Sequence, residues 1–145
     1  MDPDRCHEIV AYTYLTADKG LFVNPQFPIY IGGKRHLPDF LAVEPAVQRV
    51  WLVEVSRSKD LADLRKKCVR YAANLPDVQA ALKPSGLAGW SIGVWLILRA
   101  DTIPQATGLD ETLSGVALRT TSIEETVASW MWLNPDGITR TAPTI

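Results

Sequence analysis

Residues 38–56 read PDFLAVEPAVQRVWLVEVS, and their pattern decides the fold class. Two apolar runs, 39–43 and 50–56, flank a connection from Glu44 to Arg49 that contains Pro45. β-Branched and aromatic residues dominate the runs and proline marks the bend, as expected for two paired strands. With that connection Val43 faces Val50, Leu41 faces Leu52 and Asp39 faces Glu54. Alternation along each strand puts Asp39, Leu41, Val43, Val50, Leu52 and Glu54 on one face. Two carboxylates therefore meet at the open end of an apolar surface. Directly opposed Cβ atoms lie about 4.5–5.5 Å apart, and like charges there repel. Glutamate is disfavoured in strands and rarely buried without a partner. A divalent cation held by both carboxylates would offset the repulsion, and Mg²⁺ commonly uses one or two carboxylates with water and phosphate oxygens. The alternative is structural: Asp39 serves the turn after Pro38, and Glu54 pairs with an arginine such as Arg35 or Arg57.

Downstream of this pair the period changes from two to between three and four. Leu61, Leu64, Cys68, Tyr71, Ala72 and Leu75 give a helix over 60–74, with Ser58 or Asp60 as its cap and Pro76 as its stop. Lys67 borders the apolar face of that helix and can reach toward the sheet, whereas Lys66 points into solvent. An ion pair with Asp63, four residues earlier, is the bland role for Lys67. Residues 90–99 are a strand apolar on both faces. Upstream, 4–16 is a helix with Ile9, Tyr12 and Leu15 on its apolar side, and 27–31 is a strand joined to 39–43 through the Gly32-Gly33 turn. Residues 83–89 are loop, 100–114 irregular and 116–118 a short strand. The segment 122–133 is either a helix with Ser122 and Glu125 as a capping box or the arm of a hairpin turning at Asn134-Pro135-Asp136-Gly137. The order helix, three strands, helix, strand is a mixed α/β domain.

The 145 residues, 47% hydrophobic and 21% charged, suit a single domain over 1–145 and exclude disordered, collagenous and coiled-coil chains. No apolar run reaches the roughly 18 residues of a membrane span. Acid and proline in Met1-Asp2-Pro3-Asp4-Arg5 do not make a signal peptide. Cys6 and Cys68 have no metal-binding or disulfide spacing, so the expected location is cytoplasmic, with reduced thiols. A net charge of −1 excludes coating nucleic acid by bulk charge. Positive charge is nonetheless concentrated over 57–70, in Arg57, Lys59, Arg65, Lys66, Lys67 and Arg70. No Gly-rich phosphate loop occurs, and His7 and His36 lack a nucleophile motif. His36 is three residues before Asp39, and a turn histidine is its expected role.

Pro38-Asp39 followed by Glu54-Val55-Ser56 at the next strand end resembles the PD-(D/E)-X-K nuclease superfamily. The run continuing through Asp63, Lys67 and Tyr71 is similar to its Uma-type bacterial branch, where the lysine has moved onto the following helix. The family's usual lysine position, two after the acid, is Ser56 here, and the chain has one residue fewer before the serine than the branch pattern. The resemblance covers 27–75 well and 90–99 loosely; the C-terminal third matches no family. It implies a restriction-endonuclease-like core and Mg²⁺- or Mn²⁺-dependent hydrolysis of nucleic acid, DNA before RNA. Asp39 and Glu54 would hold the metal with the Val55 carbonyl and Glu8 of the first helix, and Lys67 would assist the attacking water. Arg57, Lys59 and Arg70 would contact phosphates. Many members act as dimers, so a homodimer is an expectation from the resemblance alone. The competing reading is a non-catalytic nucleic-acid- or protein-binding module on the same fold, with Trp130 and Trp132 in the core or at an interface.

Overall fold

The computed structural model describes residues 6–133, with side chains through residue 128. The side chains of Trp130 and Trp132, the start of the first helix before Cys6 and the turn after Asn134 lie outside the described residues. Among the described residues seven strands form: β1 (Phe22–Pro25), β2 (Ile29–Ile31), β3 (Lys34–His36), β4 (Phe40–Glu44), β5 (Arg49–Ser56), β6 (Ser91–Leu98) and β7 (Ala117–Ser122). The α-helices that accompany them are α1 (Cys6–Thr13), α2 (Ala62–Ala73), α3 (Leu75–Leu82), α4 (Ile103–Ala106), α5 (Leu109–Thr112) and α6 (Ile123–Leu133). The main sheet has the order β1-β4-β5-β6-β7. Strands β1, β4 and β5 pair antiparallel and β5, β6 and β7 parallel, with α2–α3 and α4–α5 as the crossovers. This is a mixed α/β architecture. Among the described residues no helix is long and apolar enough to cross a membrane.

The β4–β5 register is the expected one, Leu41 opposite Leu52 and Val43 opposite Val50. Leu41, Val50, Leu52 and Ile92 pack with Tyr71, Val78 and Leu82 of α2 and α3. On the opposite face Phe40, Ala42, Trp51, Val53, Trp95 and Ile97 pack against Ala11, Tyr14 and Leu15. Helices therefore cover both faces, which is why β5 and β6 are buried at nearly every position.

Several expectations need correction. The apolar side of α1 is Ala11, with Tyr14 and Leu15 of the wide turn that follows, whereas Ile9 and Tyr12 are 46% and 40% exposed. Ala11, with its single methyl, lets the helix approach the sheet; counting only large side chains picks the wrong stripe. Strands β1 and β3 are additional, so five strands rather than three precede α2. The Gly32-Gly33 turn, at φ 59° and 80°, closes the separate β2–β3 hairpin instead of leading to 39–43. Pro76 follows the end of α2 but also sits in the first turn of α3, where a missing N–H costs nothing. Residues 100–114 contain the short helices α4 and α5, and the strand expected at 116–118 runs to Ser122. The segment 123–133 is the helix and not the hairpin arm, its start capped by Ser122 Oγ accepting from the Glu125 N–H at 2.9 Å.

Tight packing under the sheet yields a stability test. Gly93 is opposite Trp51 in the β5–β6 ladder, and a Cβ there would lie 2.5 Å from the indole Cζ3. Trp51 is held in place, because its ring meets Trp95 edge-on at 5.5 Å and its Nε1 donates to Glu44 Oε1 at 2.9 Å. Gly93→Ala is expected to lower unfolding free energy by about 1–3 kcal/mol, as overpacking does. A urea melt equal to that of the wild type would show that the indole has room to move.

Candidate functional site

The ladder between β4 and β5 ends at Phe40–Val53, because the next residues outward on β4 are Asp39 and Pro38, and proline has no N–H to donate. Past that point the Asp39 side chain takes over on the acceptor side: its Oδ2 accepts from the Val55 N–H at 2.8 Å. In an antiparallel pair a strand residue turns both its N–H and its C=O toward one neighbour, so the Val55 carbonyl belongs to the same edge as Asp39. Glu54, one residue before, projects onto the α2–α3 face and is 3% exposed.

Glu54 meets α2. Its Oε1 accepts from Lys67 Nζ at 3.0 Å and its Oε2 from the Tyr71 hydroxyl at 3.1 Å. Lys67 and Tyr71 are one helical turn apart, so both reach one carboxylate from the same face. Lys67 Nζ also donates to the Leu37 carbonyl at 2.9 Å. The lysine thus pairs with Glu54 across the layer rather than with Asp63 on its own helix. Ser56, two residues after Glu54, builds the turn into α2: its Oγ accepts from the Ser58 N–H, and Asp60 Oδ1 accepts from the Ala62 N–H where the helix starts.

Burial pushes Glu54 up to about 8; Lys67 and the hydrogen bond from Tyr71 oppose the shift, and Asp39 adds to it. Asp39 is also raised, first by burial and then by the field of Glu8, while the Val55 N–H and Lys67 draw it down. Glu8, a mostly buried residue of α1, therefore acts on the same site from the opposite helical layer. It is one turn before Ala11 on the sheet-facing side of the helix, the side that the large apolar residues do not reveal.

Asp39 and Glu54 share the field of the Lys67 ammonium group, and each carboxyl is raised by burial. Among the described residues no cluster of three or more His, Cys, Asp and Glu side chains is arranged to hold a metal ion. Asp39, Glu54 and the Val55 carbonyl are instead a small all-oxygen donor set. Oxygen donors of this kind are what Mg²⁺ takes, one or two carboxylates with its own water kept, and here both Glu54 oxygens already accept from Lys67 and Tyr71.

The basic residues expected to contact phosphates are dispersed. Arg57 lines a cleft of about 580 Å³ with Ser58, Arg99, Ile123 and Glu124, beyond the ends of β5 and β6. Lys59 is exposed in the loop before α2, and Arg70 is exposed on α2, where its charge acts on His36. Sequence reasoning assigns no role to the Leu37 carbonyl, and Tyr71 enters it as an apolar-face residue of the helix and as part of a motif, with no hydrogen bond assigned. The Lys67–Tyr71 spacing is the available signal for the tyrosine; no signal marks Leu37. No known protein family, curated protein or solved structure matches the chain.

Proposed function

We propose that this protein is a metal-dependent nuclease of the restriction-endonuclease-like kind, hydrolysing phosphodiester bonds of nucleic acid, DNA in the first instance. The observation that carries the reading is Asp39 and Glu54 converging at the end of β5 with Lys67 on Glu54 at 3.0 Å. The antiparallel-then-parallel sheet and the resemblance of Pro38-Asp39, Glu54, Lys67 and Tyr71 to the family pattern support it. Bound by Asp39, Glu54 and the Val55 carbonyl, Mg²⁺ or Mn²⁺ would acidify a water and neutralise charge at the scissile phosphate. Glu8 adds negative potential that favours a cation there. Tyr71 and Lys67 hold the Glu54 carboxyl in one orientation, and the Lys67 ammonium is a fixed positive group for charge developing on the phosphate.

A second reading, a non-catalytic binding module, draws support from Ser56 in the usual lysine position and from a Lys67 amine already engaged by two acceptors. Calorimetry with Mn²⁺ and a cleavage assay on plasmid and single-stranded DNA separate the two. The nuclease reading expects a Mn²⁺ heat in the wild type that disappears in Asp39→Ala together with cleavage, while circular dichroism is unchanged. Cleavage that survives in Asp39→Ala removes the mechanism; absence of a Mn²⁺ heat favours the binding module.

A further inference from the structure

The β2–β3 hairpin is separate from the main sheet and packs one face on α3. Ile29 is fully buried there, with Phe27 and Ile31 beside it. The other face carries Tyr30, 55% exposed, directly opposite Arg35 in the hairpin register. Lys34 and Arg35 are exposed just past the glycine turn, and Arg70 is exposed on α2. Burial first, and then the charges of Arg70, Lys34 and Lys67, hold the imidazole of His36 at the hairpin's base below its ordinary value. The next residue, Leu37, accepts the hydrogen bond from Lys67, the same amine that meets Glu54. Among the described residues, Lys34, Arg35 and Arg70 make no ion pair. Cross-strand partners share a face, so Arg35 lies beside Tyr30 on the exposed side, while Lys34 and His36 share the Ile29–Ile31 side, toward Arg70.

We propose that the β2–β3 hairpin grips an unpaired nucleic-acid strand, Tyr30 stacking on a base while Arg35 beside it meets a neighbouring phosphate and Lys34 and Arg70 add positive potential from the hairpin's other side. The inference rests on the reading that the Asp39–Glu54 site takes nucleic acid. Charge complementarity selects a polyanion, and the tyrosine selects its unpaired form. Bases in a duplex keep their faces stacked on one another, whereas a single strand offers each face to an aromatic side chain.

Fluorescence anisotropy of a labelled oligonucleotide tests this in EDTA, which withholds divalent metal and separates binding from cleavage. Tyr30→Ala is expected to weaken single-strand binding about tenfold and leave duplex binding unchanged, with Tyr30→Trp restoring affinity. Arg35→Ala should reduce the slope of log affinity against log salt by about 0.7 on the single strand. Deoxyribo- and ribo-oligonucleotides of one sequence are titrated in parallel, and the Tyr30 effect is expected on whichever binds more tightly. Unchanged affinity in Tyr30→Ala, or an equal loss on duplex, overturns the grip and leaves the nuclease reading standing. Hairpin-dependent binding without cleavage in Mg²⁺ or Mn²⁺ supports the grip and removes catalysis. A wild type that binds no oligonucleotide removes the grip, and cleavage in Mg²⁺ or Mn²⁺ then decides the nuclease reading separately.

Discussion

In a Glu54→Gln protein, Mg²⁺-dependent cleavage is expected to fall by about 10³-fold or more, while metal-free stability above pH 8 rises over that of the wild type. On the nuclease reading, the first effect follows from removing one of the two proposed carboxylate ligands: a loss of about 4 kcal/mol of transition-state stabilisation is about a thousandfold in rate. The second follows from linkage. Glu54 is pushed up to about 8 in the folded protein from an ordinary value of 4.5, so the folded state holds its proton where the unfolded chain has lost it. The stabilising contribution is complete below pH 4.5 and is lost as pH rises through about 8. Glutamine has the same shape, can accept from Lys67 and pair with Tyr71, and does not titrate. Denaturant melts in EDTA at about pH 4.5, 6.5 and 8.5 read the difference between the proteins, expected to grow in favour of glutamine by at least about 2 kcal/mol. A difference independent of pH would refute the raised carboxyl, and wild-type cleavage rates would refute its catalytic use.

Removing the other half of the pair should make the cost of the substitution itself depend on pH. Lys67→Met takes a cation from a nearly buried carboxylate and strips the Leu37 carbonyl of its donor. Deleting one partner of a buried pair costs about 3–5 kcal/mol when the remaining charge is ionised. Near pH 4.5 Glu54 is protonated in the folded protein, and the loss should shrink to about 1 kcal/mol, the worth of an ordinary hydrogen bond. The cost therefore grows as pH rises. Since Lys67 holds Glu54 down, the proposed Mn²⁺ site should need a higher pH once the lysine is removed, because a ligating carboxyl must first lose its proton. Cleavage should drop about 10²-fold, the usual cost of one fixed transition-state donor. Equal destabilisation at both ends of that pH range would show that the ion pair contributes no stability, and the double variant with Glu54→Gln measures their coupling directly.

The core of the site is legible because two simple periods carry it. Period two along 39–56 puts Glu54 on the face of Leu52 and Val50, and the helical period along 60–74 turns Lys67 toward that face. Both follow from local geometry that every strand and helix obeys. Ala11 escapes such a reading as the contact face of α1, because helix approach depends on how little a side chain projects, which hydrophobicity alone does not encode. The β2–β3 hairpin escapes it because three-residue strands are too short for alternation to register. Its Gly32-Gly33 turn is visible, but not which strands the turn joins.

Sequence by itself determined the β4–β5 register, the face shared by the Glu54 side chain and its apolar neighbours, and the phase of Lys67 on α2. Each is a matter of spacing along one segment. Only the tertiary structure decided that Asp39 would cap the Val55 N–H, that Tyr71 and the Leu37 carbonyl would complete the Glu54–Lys67 pair, and that Glu8 would act from the opposite layer. The hydrogen bonds among these groups join residues 16, 17 and 30 positions apart. Such contacts depend on how the layers close over the sheet, and no local period records that closure.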